Sequence, residues 1–226
     1  MISKFRIAHD PTLYHGWPDV ALCPSGKLVC VFSECTHHGN RDYTRIMLVE
    51  SSDRGRTWTP KRPLTEGTRG LAYYYNCARI TALRDGRLAI LVDRCPVGGE
   101  ATTAVLSVNL LYFSSDEGKT WGAPVETPLK GIVPDRLLEL KTGRWIISAH
   151  HPEDGLLTQF MHYSDDRGKT WITAEFFFGL KVTDPFISLV YGFFCFIDSF
   201  LGQTHVKHRV CILDVGICIL DVDLSI

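Results

Sequence analysis

The chain has 226 residues, of which 45% are hydrophobic and 22% charged, the balance of an ordinary globular protein with one large domain or two small ones. Its 24 basic and 25 acidic side chains leave a formal net charge of -1. That excludes global attraction to nucleic acid or an anionic membrane, and no basic run is interleaved with aromatics.

Residues 1–10 carry Lys4, Arg6 and Asp10 and lack an apolar segment, so they do not read as a secretory signal. A cytoplasmic address is expected. The longest apolar stretch, residues 185–197, is too short and too interrupted to cross a bilayer. None of the eight cysteines forms a C-x-x-C pair, and most sit in apolar runs. They read as buried, reduced thiols rather than zinc ligands, and no cofactor is implied.

In chain order, the first element pair is a hairpin over residues 20–32, two runs of β-formers around Ser25-Gly26. A third strand is predicted over 46–50. It leads into Ser51-Ser52-Asp53-Arg54-Gly55-Arg56-Thr57-Trp58. The same series returns with a hairpin over 80–92 around Asp85-Gly86, a strand over 105–113, and Ser114-Ser115-Asp116-Glu117-Gly118-Lys119-Thr120-Trp121. It returns again with a hairpin over 137–148 around Thr142-Gly143, a strand over 157–163, and Ser164-Asp165-Asp166-Arg167-Gly168-Lys169-Thr170-Trp171. All three octapeptides read S-x-D-x-G-x-T-W, and each Trp begins a fourth strand. Four antiparallel strands at a period of 50 to 63 residues describe propeller blades.

The turn chemistry accounts for the octapeptide. The Asp accepts backbone N–H groups of its own loop, the Gly allows a positive φ, the Thr hydroxyl adds a local bond, and the Trp packs between sheets. All of this is structural.

Because strands alternate in direction, the hairpin glycines and the octapeptides lie at one end of the blades. Functional residues are expected at the other end, where loops converge. Counting from the turn glycine, the equivalent positions seven residues earlier are Asp19, Arg79 and Arg136. Those eight residues later are Glu34, Arg94 and His151. The connecting loops add His37, His38, Arg41, Asp42, Asp93, His150 and Asp154. Charges near a propeller axis suit anion reading or acid–base chemistry; exposed charges and inter-blade ion pairs are the plainer alternative.

The three octapeptides with their upstream hairpins resemble the Asp boxes of the sialidase (neuraminidase) superfamily and its BNR-repeat relatives, over about residues 15–171. The resemblance implies an all-β, six-bladed type of propeller, of which about three to four blades are present here. Residues 1–175 would form three Asp-box blades. Residues 176–226, which lack a box, would form a divergent or truncated tail or part of a fourth blade. It further implies a glycoside hydrolase acting exo on a terminal, sialic acid-like sugar, with carbohydrate or glycoconjugate as partner. The alternatives are a non-catalytic propeller that binds carbohydrate or protein, and an inactive fragment.

Sialidase chemistry uses arginines for the substrate carboxylate, a carboxylic acid for the leaving group, and a Tyr–Glu nucleophile. Where the family has R-I-P, this chain has Gly16-Trp17-Pro18, which keeps the proline and lacks the arginine. Asp42 fits the place of the acid, with Glu34 second. Arg79 and Arg136 are candidates by repeat position, joined by Asp19, Arg94 and His151. His37 and His38 are read as sugar contacts, or as metal ligands only with help from His150 or His151, since neighbours in an extended strand point apart. Tyr73-Tyr74-Tyr75 suits stacking on a sugar or packing under the rim.

Overall fold

The computed structural model describes residues 6–98, 106–153 and 156–174, all within one compact unit of the chain. The expected tail over 176–226, and Asp154, lie outside the described residues. Twelve strands form three antiparallel four-stranded sheets. Blade 1 contains β1 (Tyr14–Leu22), β2 (Leu28–His37), β3 (Asn40–Ser51) and β4 (Arg62–Pro63). Blade 2 contains β5 (Tyr73–Ala82), β6 (Leu88–Pro96), β7 (Val108–Ser114) and β8 (Val125–Glu126). Blade 3 contains β9 (Leu138–Glu139), β10 (Trp145–Glu153), β11 (Leu156–Ser164) and β12 (Ile172–Ala174). No helix among the described residues is long and apolar enough to cross a membrane.

The second and third strands of blade 2 are covered on both faces, so they read as nearly continuous apolar runs rather than as alternating ones. In β6, Leu88, Ile90 and Val92 face blade 1 and join Val29, Val31, Ile46, Leu48 and Ile80 in one buried cluster. Their alternates Ala89 and Leu91 face blade 3 and join Leu111, Leu129, Trp145 and Ile147 in another. One strand thus feeds two inter-blade cores through its period of two.

The three octapeptides share one closure around the Asp. In the first, Asp53 accepts Thr57 N–H at 2.9 Å, the Thr57 hydroxyl at 2.6 Å and the Ser51 hydroxyl at 2.8 Å. Gly55 N–H donates to Ser51 Oγ at 2.8 Å, and the Trp58 indole N–H reaches Gly55 O at 3.0 Å. Asp116 and Asp166 repeat the pattern. These hydrogen bonds, led by the Thr hydroxyl, pull the Asp53 and Asp166 carboxyls down to about 2, and lower Asp116 further.

Two features differ from expectation. The residue before each octapeptide glycine is itself left-handed, with φ of 63° at Arg54, 57° at Glu117 and 61° at Arg167, so the turn takes two successive residues through that region. The third strand of blade 1 begins at Asn40 rather than near residue 46. His37, Arg41, Asp42, Asp93 and His150 therefore lie on strands, where loops were expected. Arg41 and Asp42 fall at the register shift between Cys35 and His37, where the alternation of the pleat is interrupted.

Candidate functional site

The innermost strands meet at Asp19. Its Oδ2 accepts Ile80 N–H of blade 2 at 3.0 Å, and its Oδ1 accepts the Arg136 guanidinium of blade 3 at 2.6 Å. The Asp19 side chain is 8% exposed and that of Arg136 56%. A single carboxylate thus ties three blades together at the axis. Thr81 adds a bond from its hydroxyl to Leu137 O at 2.7 Å. Arg79 is half-buried, and with Arg136 it lies close enough to Asp135 to favour that group's charge. Burial nevertheless pushes the Asp135 carboxyl up, against its bond from Ser148 at 2.7 Å.

Above the axis, at the end opposite the octapeptides, blade 1 presents an aromatic group. Trp17 has φ of 50°, a left-handed conformation for a bulky residue, at a register shift between Gly16 and Asp19. Strain of that kind costs about 1–3 kcal/mol and persists where surrounding contacts enforce it. The contacts are visible: His38 stacks on Trp17 at 5.5 Å between centroids, and the Arg41 guanidinium lies over the indole at 4.5 Å. Tyr14 approaches edge-on, 6.0 Å from Trp17 and 5.6 Å from His38, with His37 at 6.5 Å. Gly16 leaves room for this ring, because a Cβ there would come within 2.7 Å of Tyr14 Cε1. Arg41 is further held by bonds from Nη1 to Cys35 Sγ at 3.2 Å and His37 O at 3.3 Å. Asp42 follows Arg41 in the chain and is exposed, with its own N–H capped by Asn40 Oδ1 at 2.8 Å.

Glu34 is placed differently. It is buried and fully engaged, accepting Tyr43 Oη at 2.9 Å, His15 Nε2 at 3.0 Å and the Lys61 ammonium. Burial raises its carboxyl, but the bonds from Lys61, His15 and Tyr43 outweigh that and hold it below the usual range. A carboxyl held ionised is poorly suited to donate a proton. The same cluster raises Tyr43, through burial first and then Glu34.

In blade 2, the Arg94 guanidinium lies over Tyr73 at 5.3 Å, and both Tyr73 and Tyr75 donate to Glu66 Oε1, at 2.7 and 2.9 Å. The three tyrosines open β5, and Tyr75 is buried as packing. Asp93 is wholly buried. It accepts Cys77 N–H at 2.7 Å, Asn76 Nδ2 at 3.0 Å, and Val133 N–H of blade 3 at 3.0 Å. Desolvation raises its carboxyl despite those bonds. In blade 3, His151 stacks on Phe160 at 3.8 Å, and burial, with His151 nearby, lowers the basicity of His150.

Of the blade 1 candidates, His37 and His38 share the aromatic group with Tyr14 and Trp17, while Asp19 is joined to Arg136 and Ile80. Arg94 and His151 are held by contacts within their own blades. Sequence reasoning treated Trp17 only as a departure and did not single out Tyr14. Their stacking depends on the bulge at Gly16, which leaves no pattern in the chain. Among the described residues no group of three or more His, Cys, Asp or Glu is placed to hold a metal ion. Cys23, Cys30, Cys35, Cys77 and Cys95 are buried free thiols.

No protein-family model matches this chain, and no curated protein sequence matches it. Solved structures do. The Hadza microbial sialidase Hz136 has a TM-score of 0.58 at 18% identity, over 70% of this chain and 37% of that one. The NanB sialidase from Streptococcus pneumoniae has 0.59 at 11%, over 79% of this chain and 47% of that one. The Penicillium chrysogenum alpha-L-arabinanase complexed with arabinobiose has 0.53 at 18%, over 76% and 52%. The chain spans between 37% and 52% of the length of these three neighbours. They are sialidases and a related glycoside hydrolase, and at such identities the likeness establishes the fold, a partial β-propeller.

Proposed function

We propose that this chain belongs to an Asp-box (BNR-repeat) glycoside hydrolase of sialidase type, acting exo on a terminal sugar at the end of the blades opposite the octapeptides. The observation that supports it is the division of labour along each blade. One end is consumed by three identical turns. The other gathers unlike side chains, Tyr14, Trp17, His37, His38 and Arg41, on blade 1, whose Asp19 joins three blades.

In this reading Asp42 is the acid that protonates the leaving group, being exposed and free of a basic partner among the described contacts. Glu34 supplies fixed negative charge rather than a proton. His37 and His38 contact sugar hydroxyls, while Arg79, Arg94, Arg136, Asp19 and His151 border the site from the three blades. Positioned acid catalysis contributes about 10²–10⁴-fold. Asp42→Asn is therefore expected to lower kcat by about that factor on a panel of aryl glycosides that includes a fluorogenic sialoside. Absence of turnover with every member would overturn the activity.

A second reading, a non-catalytic propeller that binds carbohydrate or protein, is favoured by one observation. Arg136, the exposed axial arginine, is already spent on Asp19. It predicts glycan binding by the full chain without turnover.

A further inference from the structure

The cations and rings above the axis divide in a way that bears on which sugar the site takes. Reading a carboxylate requires guanidinium groups free to form paired bonds. Here Arg136 is bonded to Asp19 at 2.6 Å. Arg94 lies over Tyr73, whose hydroxyl is bonded to Glu66. Lys61 is paired with Glu34 and lies 3.7 Å from Asp10. Arg79 faces Asp135. Arg41 lies flat over Trp17, with Nη1 spent on Cys35 and His37. An anionic ligand would have to break several of these contacts.

The rings pack on one another yet keep surface open to solvent. Tyr14 is 37% exposed, Trp17 half-buried, and His37 and His38 exposed. Trp17, His37 and His38 each stand within 6.5 Å of Tyr14 at the rim end of β1 and β2. Trp17 is held in a left-handed conformation that its neighbours enforce, and Gly16 gives Tyr14 its seat. Amphipathic rings gathered at a rim, two of them imidazoles, offer an apolar surface for the C–H face of a pyranose or furanose and hydrogen-bonding nitrogens for its hydroxyls. Stacking of this kind is indifferent to charge.

We infer that the Tyr14–Trp17–His37–His38 group is a sugar-stacking shelf and that its ligand is the uncharged terminal sugar of a glycan, not an acidic one. The inference rests on the carbohydrate reading proposed above and narrows its substrate class. It places specificity in rings where charge-reading arginines would otherwise act.

The test is binding of the full chain to an array that carries each neutral glycan beside its sialylated or uronic acid-capped counterpart, with turnover followed in parallel. Neutral members are expected to be retained at least as well as their acidic counterparts, with little loss at raised ionic strength. Tyr14→Ala and His38→Ala, each checked for an unchanged melting transition, are expected to weaken retention by about tenfold. If Tyr14→Ala fails to fold, His38→Ala decides alone, since that ring is exposed. Preference for the acidic counterparts would overturn the inference and leave the glycan-binding reading standing. So would neutral binding that both variants leave unchanged. Failure of every glycan to bind or turn over would overturn both.

Discussion

The two ends of the blades obey different rules. At the octapeptide end each box Asp has its partners four or fewer residues away, and the arrangement recurs three times. Remote bonds are laid over these local ones: Ser25 reaches Glu117, 92 residues on, and Arg84 N–H reaches Glu139, 55 residues on. At the rim end Asp19 reaches Ile80, 61 residues on, and Arg136, 117 residues on, and Asp93 reaches Val133, 40 residues on. The lesson is that both ends join blades, but one does so around a turn repeated three times and the other through residues that do not repeat.

The comparison breaks most visibly if a residue at the octapeptide end is removed and the rim survives. Trp145 opens β10 there, fully buried, stacked on Phe113 at 5.8 Å and packed against Gly168. Trp145→Ala should cost about 3–5 kcal/mol in denaturant unfolding. Trp17→Gly at the rim should change stability by less than about 1 kcal/mol, because the lost stacking is offset by relief at φ of 50°. Equal losses from the two tryptophans would erase the distinction.

Asp93 carries the next effect. Asp93→Ala strands the N–H groups of Cys77 and Val133 and the Asn76 amide in a dry interior. With about 1–3 kcal/mol per stranded donor and some relaxation, a loss of about 2–4 kcal/mol is expected in urea unfolding. Asp93→Asn keeps a carbonyl acceptor and should lose less.

Acid separates the ends by sign. Asp53, Asp116 and Asp166 have carboxyls lowered by their turns. Their contribution is complete above the unfolded value near 3.8 and is lost as pH falls from there toward about 2. Asp93 and Asp135 are raised by burial, so their contribution is present in acid and is lost as pH rises through their folded values. Asn at the three octapeptide positions should therefore flatten the decline in stability between about pH 4 and 2. Asp93→Asn removes an opposing trend and should make acid unfolding begin at higher pH. Melting curves from neutral pH down to about 2 check both, since the raised group changes its contribution above the unfolded value and the lowered ones below it.

Legibility in the sequence follows the same division. The hairpins and octapeptides were readable because their bonds are local and their residues recur. Gly26, Gly86 and Gly143 have φ of 87°, 86° and 88° as a tight turn requires. The left-handed residue before each octapeptide glycine was not readable, because Arg54, Glu117 and Arg167 share only a backbone conformation. The rim was half readable. Position relative to the turn glycine found Asp19 and Arg136, but not that they bind each other. It could not show that Glu34 is buried under Tyr43, His15 and Lys61. Asp42 was expected on a loop, yet β3 starts at Asn40, opposite His37, and carries residues 41–43 through a register shift before Thr44 pairs with Cys35.

The smallest effect tests the axis itself. The Arg136 guanidinium is 56% exposed, so its bond to Asp19 is screened and its long side chain must be ordered to make it. Arg136→Ala should cost less than about 1 kcal/mol, and that difference should fade at high salt. Asp19 keeps its bond from Ile80 N–H, so the junction of blades 1 and 2 survives without the arginine. Asp19→Ala differs in kind: it leaves the Ile80 N–H without its acceptor and frees Arg136. The freed guanidinium would then be available to an anion, so the variant should gain affinity for acidic glycans relative to their neutral counterparts. If Asp19→Ala instead leaves the ratio of acidic to neutral binding unchanged, the pairing at the axis plays no part in excluding charge, and the aromatic shelf must set specificity alone.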